Sequence, residues 1–120
     1  MTQPTLTKPL GSERRQNGRK PFRSVAQLRL SQQAPAPVRT TDVSASGLGV
    51  VAPVNLPAGT LAVVQFVLPK KTGGGTLIEL EVMTVHSVFS AAEGGFKTGL
   101  QFNSVSPDVA KTIARFINGQ

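Results

Sequence analysis

Along most of the chain, apolar residues recur at every second position in short runs broken by Gly and Pro. FRSVAQLRL (22–30) places Phe22, Val25 or Ala26, Leu28 and Leu30 near period two, and its imperfect register around Ser24–Ala26 admits a bulge. SQQAPAP (31–37) is a loop by its proline content. VRTTDVS (38–44) has the β-branched density of a strand, and LGVVA (48–52) is another short one. PVNLPAG (53–59) connects to TLAVVQFVLP (60–69), a continuous apolar run that predicts a strand buried over much of its length. KKTGGG (70–75) reads as a hairpin loop. The next segment, TLIELEVMTVHSVF (76–89), is a long alternating strand carrying Leu77 or Ile78, Leu80, Val82, then Val85 and Val88. After a second hairpin loop, SAAEGG (90–95), FKTGLQF (96–102) alternates Phe96, Thr98, Leu100 and Phe102.

The period then changes. Val109, Ile113, Phe116 and Ile117 fall at i, i+4, i+7 and i+8, one apolar stripe on a helix. Ser106 is placed to cap it, Pro107 to open it, Asp108 to sit in its positive first turn and Gly119 to stop it. About six strands with short links, followed by one helix, cannot leave two long edges bare in a small protein. The expected fold is therefore all-β with a C-terminal helix, the strands closing into a six-stranded barrel and the helix capping one open end. The Phe residues are expected in the core.

The chain has 120 residues, enough for one domain with a modest core. Residues 1–12 lack periodicity and read as a flexible leader, which leaves 13–118 as the domain. With no Cys there is no disulfide framework or thiolate metal site, and a single His cannot build a His-rich zinc centre. No metal or bound cofactor is expected. The N-terminus has no secretory apolar region and no run approaches the ~20 residues of a membrane span, so a cytoplasmic protein without membrane insertion is expected. No catalytic constellation stands out, and KKTGGGT (70–76) lacks the residue order of a P-loop, so an enzyme is not expected. Charge is uneven. Residues 1–23 carry six basic groups against one acidic, a balance of +5, whereas residues 24–120 carry seven against five. A basic arm on a nearly neutral body suits an anionic partner.

Two clusters give that partner a chemistry. ERRQNGRK (13–20) holds Arg15 and Arg19 four apart, R-x-x-x-R, and Arg19 with Arg23 makes an overlapping copy. DVSASG (42–47) has the pattern D-x-S-x-x-G at the end of a strand. In this order, with one strand and a loop between them and GLQF (99–102) before the final helix, they resemble the PilZ family of bacterial cyclic di-GMP receptors over roughly residues 12–118. The resemblance implies a six-stranded antiparallel β-barrel with a C-terminal helix and, by the placing of Glu13 and Phe22, the Arg15/Arg19 frame. It implies cyclic di-GMP as ligand: Arg15 and Arg19 on phosphate and guanine, Asp42 and Ser44 on the guanine edge and phosphate, and Gly47 shaping the turn. The residue types suit those roles. Arginine's planar fork grips a phosphate or the Hoogsteen edge of guanine. Asp42 accepts from guanine N–H groups. Gly47 can take a positive φ and admit close approach. Arg14 and His86 are secondary candidates, the latter where many family members carry a larger aromatic that could stack on guanine. Ser46 is expected as a plain turn residue. The family often has Pro where Gly18 stands, which makes the free loop looser.

The implied mechanism is that residues about 8–20 fold over the barrel on a ligand bridging them to Asp42 and Ser44, and that an effector protein reads the altered face. Motility, pilus function and exopolysaccharide control are the usual outputs. Two alternatives stand beside it. One is a PilZ-like protein-interaction adaptor that binds no nucleotide, although such members usually lack both motifs. The other is a small basic barrel that binds nucleic acid. That would need exposed stacking platforms, and a chain with no Trp or Tyr disfavours it.

Overall fold

The computed structural model describes residues 18–119. They form β1 (Lys20–Pro21), β2 (Val25–Leu30), β3 (Ala36–Val43), β4 (Gly47–Ala52), β5 (Leu61–Pro69), β6 (Gly75–Ser90), β7 (Gly95–Asn103) and α1 (Pro107–Ile117). The strands from β2 to β7 close on themselves. β3 pairs with β2, β2 with β5, β5 with β6, β6 with β7, β7 with β4, and β4 returns to β3. Every pairing is antiparallel. The expected six-stranded barrel is therefore present, and the two-residue β1 adds to β3 with Pro21 opposite Asp42.

The first barrel strand is shorter than its apolar pattern predicts. It begins at Val25, and Phe22–Ser24 form no ladder. The cause is Thr40, which is fully buried. Its hydroxyl donates to the Phe22 carbonyl at 2.6 Å and accepts from the Ser24 amide at 2.9 Å. The Thr40 amide donates to the Ser24 carbonyl at 2.9 Å, and the Phe22 amide to the Thr41 carbonyl at 3.0 Å. One side chain thus satisfies the backbone that a regular ladder would have satisfied. The proline-rich loop is also shorter than expected, since β3 already starts at Ala36. The two expected hairpins close at Pro69–Gly75 and Ser90–Gly95.

Alternation decides what fills the interior. Ile78, Leu80, Val82 and Thr84 of β6 point inward. A register shift between Thr84 and His86 then reverses the parity. Val88, which continues the apolar pattern in the sequence, is exposed as a result, as is Val85 at the shift itself. Ser87 turns inward in their place and its hydroxyl accepts from the Leu56 amide at 3.4 Å.

Phe22, Phe66 and Phe102 are buried in the core. Phe66 lies 6.4 Å from Phe102 in a stacked arrangement and 6.0 Å from Phe22. Burying such a side chain stabilises the fold by roughly 1.5–3 kcal/mol. Phe89 and Phe96 depart from the expectation. They meet edge to face on the β6–β7 hairpin at 5.5 Å, with Phe89 exposed.

The helix follows its predicted design. The Ser106 hydroxyl accepts from the Val109 amide at 3.3 Å, Pro107 opens the first turn and Asp108 lies within it. Ile113 is fully buried, and Val109, Phe116 and Ile117 pack against the barrel core. The Phe116 ring meets Phe22 edge-on at 5.5 Å. Lys20 ties the start of the described chain to the same place. Its Nζ donates to the Phe116 carbonyl at 2.8 Å and sits 4.3 Å from that ring's centroid. A cation on the last carbonyls of a helix satisfies groups that have no partner within it.

Candidate functional site

The turn between β3 and β4 is built by Ser44. Its amide donates to the Gly47 carbonyl at 2.9 Å. Its buried hydroxyl accepts from the amides of Ser46 and Gly47, both at 3.2 Å. Ser44 is therefore a turn-forming residue that also meets the first motif, because Arg19 Nη1 donates to its hydroxyl at 3.4 Å. Ser46, expected only to turn the chain, is exposed and lines the adjoining cavity. Gly47 has no positive φ, contrary to expectation. What requires glycine there is close approach: a Cβ would collide with the Leu100 carbonyl oxygen of β7.

The site itself lies across four strands. Asp42 on β3 is opposite Gly49 on β4, Gly49 is opposite Gly99 on β7, and Gly99 is opposite His86 on β6. Neighbouring strands are about 4.8 Å apart, so this row spans ~14 Å on the outer wall of the barrel. Its two middle positions are bare backbone. The ladder is irregular on either side of them, with register shifts between Thr40 and Asp42 and between Thr84 and His86. A bulge adds a residue and re-aims the side chain that follows. Here both bulges turn a polar side chain over a glycine. A Cβ on Gly49 would stand 2.6 Å from Asp42 Oδ1 and from Thr41 Oγ1, and a Cβ on Gly99 would run into the His86 imidazole. The result is a cavity of about 430 Å³ with Gly49 and Gly99 as floor, Asp42 and Arg19 on one side, and His86 and Lys97 among its other walls.

Arg19 Nη2 meets Asp42 Oδ1 at 2.7 Å. Both side chains are about two-fifths exposed, at 42% and 37%. An ion pair this open to solvent contributes on the order of 1 kcal/mol or less, so a ligand can displace it at small cost. Beyond the pair lies a second cavity of about 360 Å³, lined by Arg19, Lys20, Arg23, Asp42, Glu93 and Lys97 among others. Arg23 binds Glu93 through both guanidinium arms at 3.3 and 3.4 Å, and Arg39 approaches the same carboxylate at 3.7 Å. The hydrogen bond from Arg23 holds the Glu93 carboxyl below its usual range, aided by the charges of Arg23, Arg39 and Lys97 and opposed by burial. This cluster anchors the β6–β7 hairpin beside the site.

Of the residues expected from sequence, Arg19, Asp42, Ser44 and Gly47 come together, and His86 faces them across the glycine floor. Arg14 and Arg15 lie outside the described residues. Arg23 is engaged by Glu93, and Arg19 is the arginine on Asp42. Gly18 has a φ of +58°, a value that the ring of the proline usual in the family forbids. Sequence reasoning missed Gly49, Gly99, Thr41 and Lys97. The glycines carried a signal, because glycine inside a strand often marks close approach by a ligand or another chain segment. Among the described residues, no three His, Cys, Asp or Glu side chains gather to hold a metal ion, and no helix is long and apolar enough to cross a membrane.

Solved structures similar to this chain include the Bacillus subtilis inhibitor of motility MotI/DgrA, with a TM-score of 0.76 and 17% identity over 88% of this chain and 50% of that one. The K. pneumonia MrkH–c-di-GMP complex has a TM-score of 0.65 and 15% identity over 88% of this chain and 51% of that one. The PilZ domain with c-di-GMP of YcgR from Escherichia coli has a TM-score of 0.63 and 18% identity over 88% of this chain and 90% of that one. The chain thus spans about half the length of MotI/DgrA and of MrkH, and nearly all of the YcgR domain. At these identities the likeness is one of fold. No curated protein matches the chain. Among protein families, the PilZ domain matches residues 13–119. That match takes in both sequence motifs, every barrel strand and the helix, and the chain belongs to the PilZ domain family.

Proposed function

We propose that this protein is a cyclic di-GMP receptor whose ligand lies against the Asp42–Gly49–Gly99–His86 row and is gripped by the basic arm. The observation that carries this reading is the meeting of the two motifs: Arg19 of the first bonds Asp42 of the second, at the rim of a cavity with a glycine floor. Where no Cβ intervenes, Asp42 and His86 lean over the barrel wall and leave room for a planar base between them. There Asp42 accepts from guanine N1–H and N2–H, and His86 stacks on the ring from the far side. Arg19 leaves Asp42 for a phosphate or a guanine edge, together with Arg15 from the preceding segment. Ser44 holds the turn and the guanidinium in place, and Arg14 adds charge at the rim. Each charge-assisted bond contributes about 1.5–3 kcal/mol before ordering costs. The names of two similar structures, the MrkH–c-di-GMP complex and the YcgR PilZ domain with c-di-GMP, support this ligand. PilZ domains are receptors or adaptors and not enzymes, and this chain is one of them.

The output is contact with an effector protein in the cytoplasm. The arm, residues about 8–20, closes over the bound ligand, and the partner reads the changed charge and shape of that face. Motility, pilus function or exopolysaccharide control is the process so governed. The name of one similar structure, an inhibitor of motility, is of that kind.

Isothermal titration with cyclic di-GMP tests the reading, with GTP and a short DNA as controls. Saturable binding of cyclic di-GMP alone is expected. Arg19→Ala and Asp42→Ala should each abolish it while the melting temperature stays within a few degrees of wild type. Binding of DNA that fades evenly as each basic residue is removed would favour the nucleic-acid alternative. No binding of any nucleotide by the folded protein would favour the adaptor.

A further inference from the structure

The two cavities flanking the Arg19–Asp42 pair share four residues: Arg19, Thr41, Asp42 and Lys97. Three of these belong to the motifs or adjoin them. Lys97 does not. It comes from β7, more than fifty residues further along, and pairs with Val51 on one side and Val88 on the other. Residues two apart on a strand face the same way, so Lys97 projects from the same wall as Gly99, about 6.7 Å along it. Its four-carbon stem can carry an ammonium over the glycine floor or into the second cavity.

The surrounding cations are differently occupied. Arg19 lies on Asp42, Arg23 and Arg39 lie on Glu93, and Lys20 lies on the Phe116 carbonyl. Lys97 makes no ion pair or side-chain hydrogen bond with any described residue. Glu93, whose carboxyl feels the Lys97 charge, is already held by two guanidiniums. A solvated strand lysine needs no such placement, whereas one standing at the rim of both cavities borders any ligand that fills either.

We propose that Lys97 is a phosphate-binding residue of this site, outside both sequence motifs, which takes a phosphodiester oxygen of the ligand where the two cavities meet. The assignment rests on the cyclic dinucleotide reading above. Lysine suits the task because its ammonium is a compact charge with three rotatable donors and does not demand the bidentate geometry of arginine. A ring with two phosphates can then be held at Lys97 and at Arg19 at once.

The test is titration of cyclic di-GMP into wild type, Lys97→Ala, Lys97→Arg and Lys111→Ala, at low and moderate salt, with melting curves for each. Lys111 is an exposed helix lysine that lines neither cavity, so its variant makes the same change in net charge elsewhere. Lys97→Ala should weaken binding about tenfold or more, the loss of one charge-assisted contact. It should also flatten the salt dependence. Lys97→Arg should retain most of the affinity, and Lys111→Ala all of it. Equal affinities for wild type and Lys97→Ala, or equal losses in Lys97→Ala and Lys111→Ala, would remove Lys97 from the site and leave the receptor reading standing. Failure of wild type itself to bind would overturn both.

Discussion

Gly49 and Gly99 matter for what they lack. Each lies under a polar side chain from the neighbouring strand, and each holds a place that a methyl group would fill. Gly99→Ala should therefore push the His86 ring away while leaving the barrel folded, because the obstructed atoms belong to an exposed side chain. Affinity for cyclic di-GMP should fall several-fold and the His86 ring resonances should shift, with overpacking costing at most about 1–3 kcal/mol of stability. A heteronuclear NMR spectrum with a melting curve would check both. Asp42, Arg19 and Ser44 could be picked out from sequence because acceptor, fork and hydroxyl are chemically distinctive and regularly spaced. Lys97 could not, since one exposed lysine looks like another until the fold sets it beside the pair. Gly47 was legible as a glycine that mattered, and of the two reasons expected for it close approach holds while a positive φ does not. Contact with the Leu100 carbonyl depends on strands far apart in sequence.

Strand existence was legible and strand continuity was not. Alternation gave three of the barrel strands and the helix, because burial on one face imposes a period of two or 3.6, while β-branched density and an unbroken apolar run pointed to the others. The bulges at Thr41 and Val85 were hidden because β-branched residues sit equally well on either face of a strand. The break in the first strand was hidden for a related reason. It depends on the hydroxyl of Thr40, and Thr is as ordinary in a strand as Val. Replacing Thr40 with Val keeps the shape and removes the clasp on Phe22 and Ser24. The buried Phe22 carbonyl and the Ser24 amide would lose their partner, at a cost of about 1–3 kcal/mol. The expected result is a melting temperature lower by roughly 4–8 °C for each kcal/mol lost, read by calorimetry. Because β1 and Arg19 enter through this segment, ligand affinity should fall as well.

At the level of the whole molecule, the barrel's interior is occupied by side chains such as Phe66, Val64 and Val82, all nearly or fully buried. The cavity over Gly49 and Gly99 lies on the outer wall instead, where the receptor reading puts recognition. Folding and binding thus draw largely on opposite faces of the same strands. Asp42 and His86 face outward, while Thr40, Val43 and Thr84 face inward within a few residues of them. This separation is why the site variants above are expected to fold. It also means that the fold by itself does not select the ligand, which falls to the few groups on that wall.

The contact between Arg19 and Asp42 makes that selection conditional. A molecule offering only negative charge attracts the guanidinium but strips the carboxylate of its partner and leaves it facing the newcomer's own anion. A base offering only N–H donors satisfies the carboxylate but strands the guanidinium. Both requirements are met at once only by a compound that carries phosphate and a donor edge in one frame, so the contact works as a logical AND. Cyclic di-AMP carries the phosphates without guanine's N1–H and N2–H, and the same titration should find its affinity at least a hundredfold weaker than that of cyclic di-GMP, about 2.7 kcal/mol. Asp42→Ala, which should no longer bind cyclic di-GMP, should not take up cyclic di-AMP in its place, because a gate with one of its two inputs removed closes on neither compound.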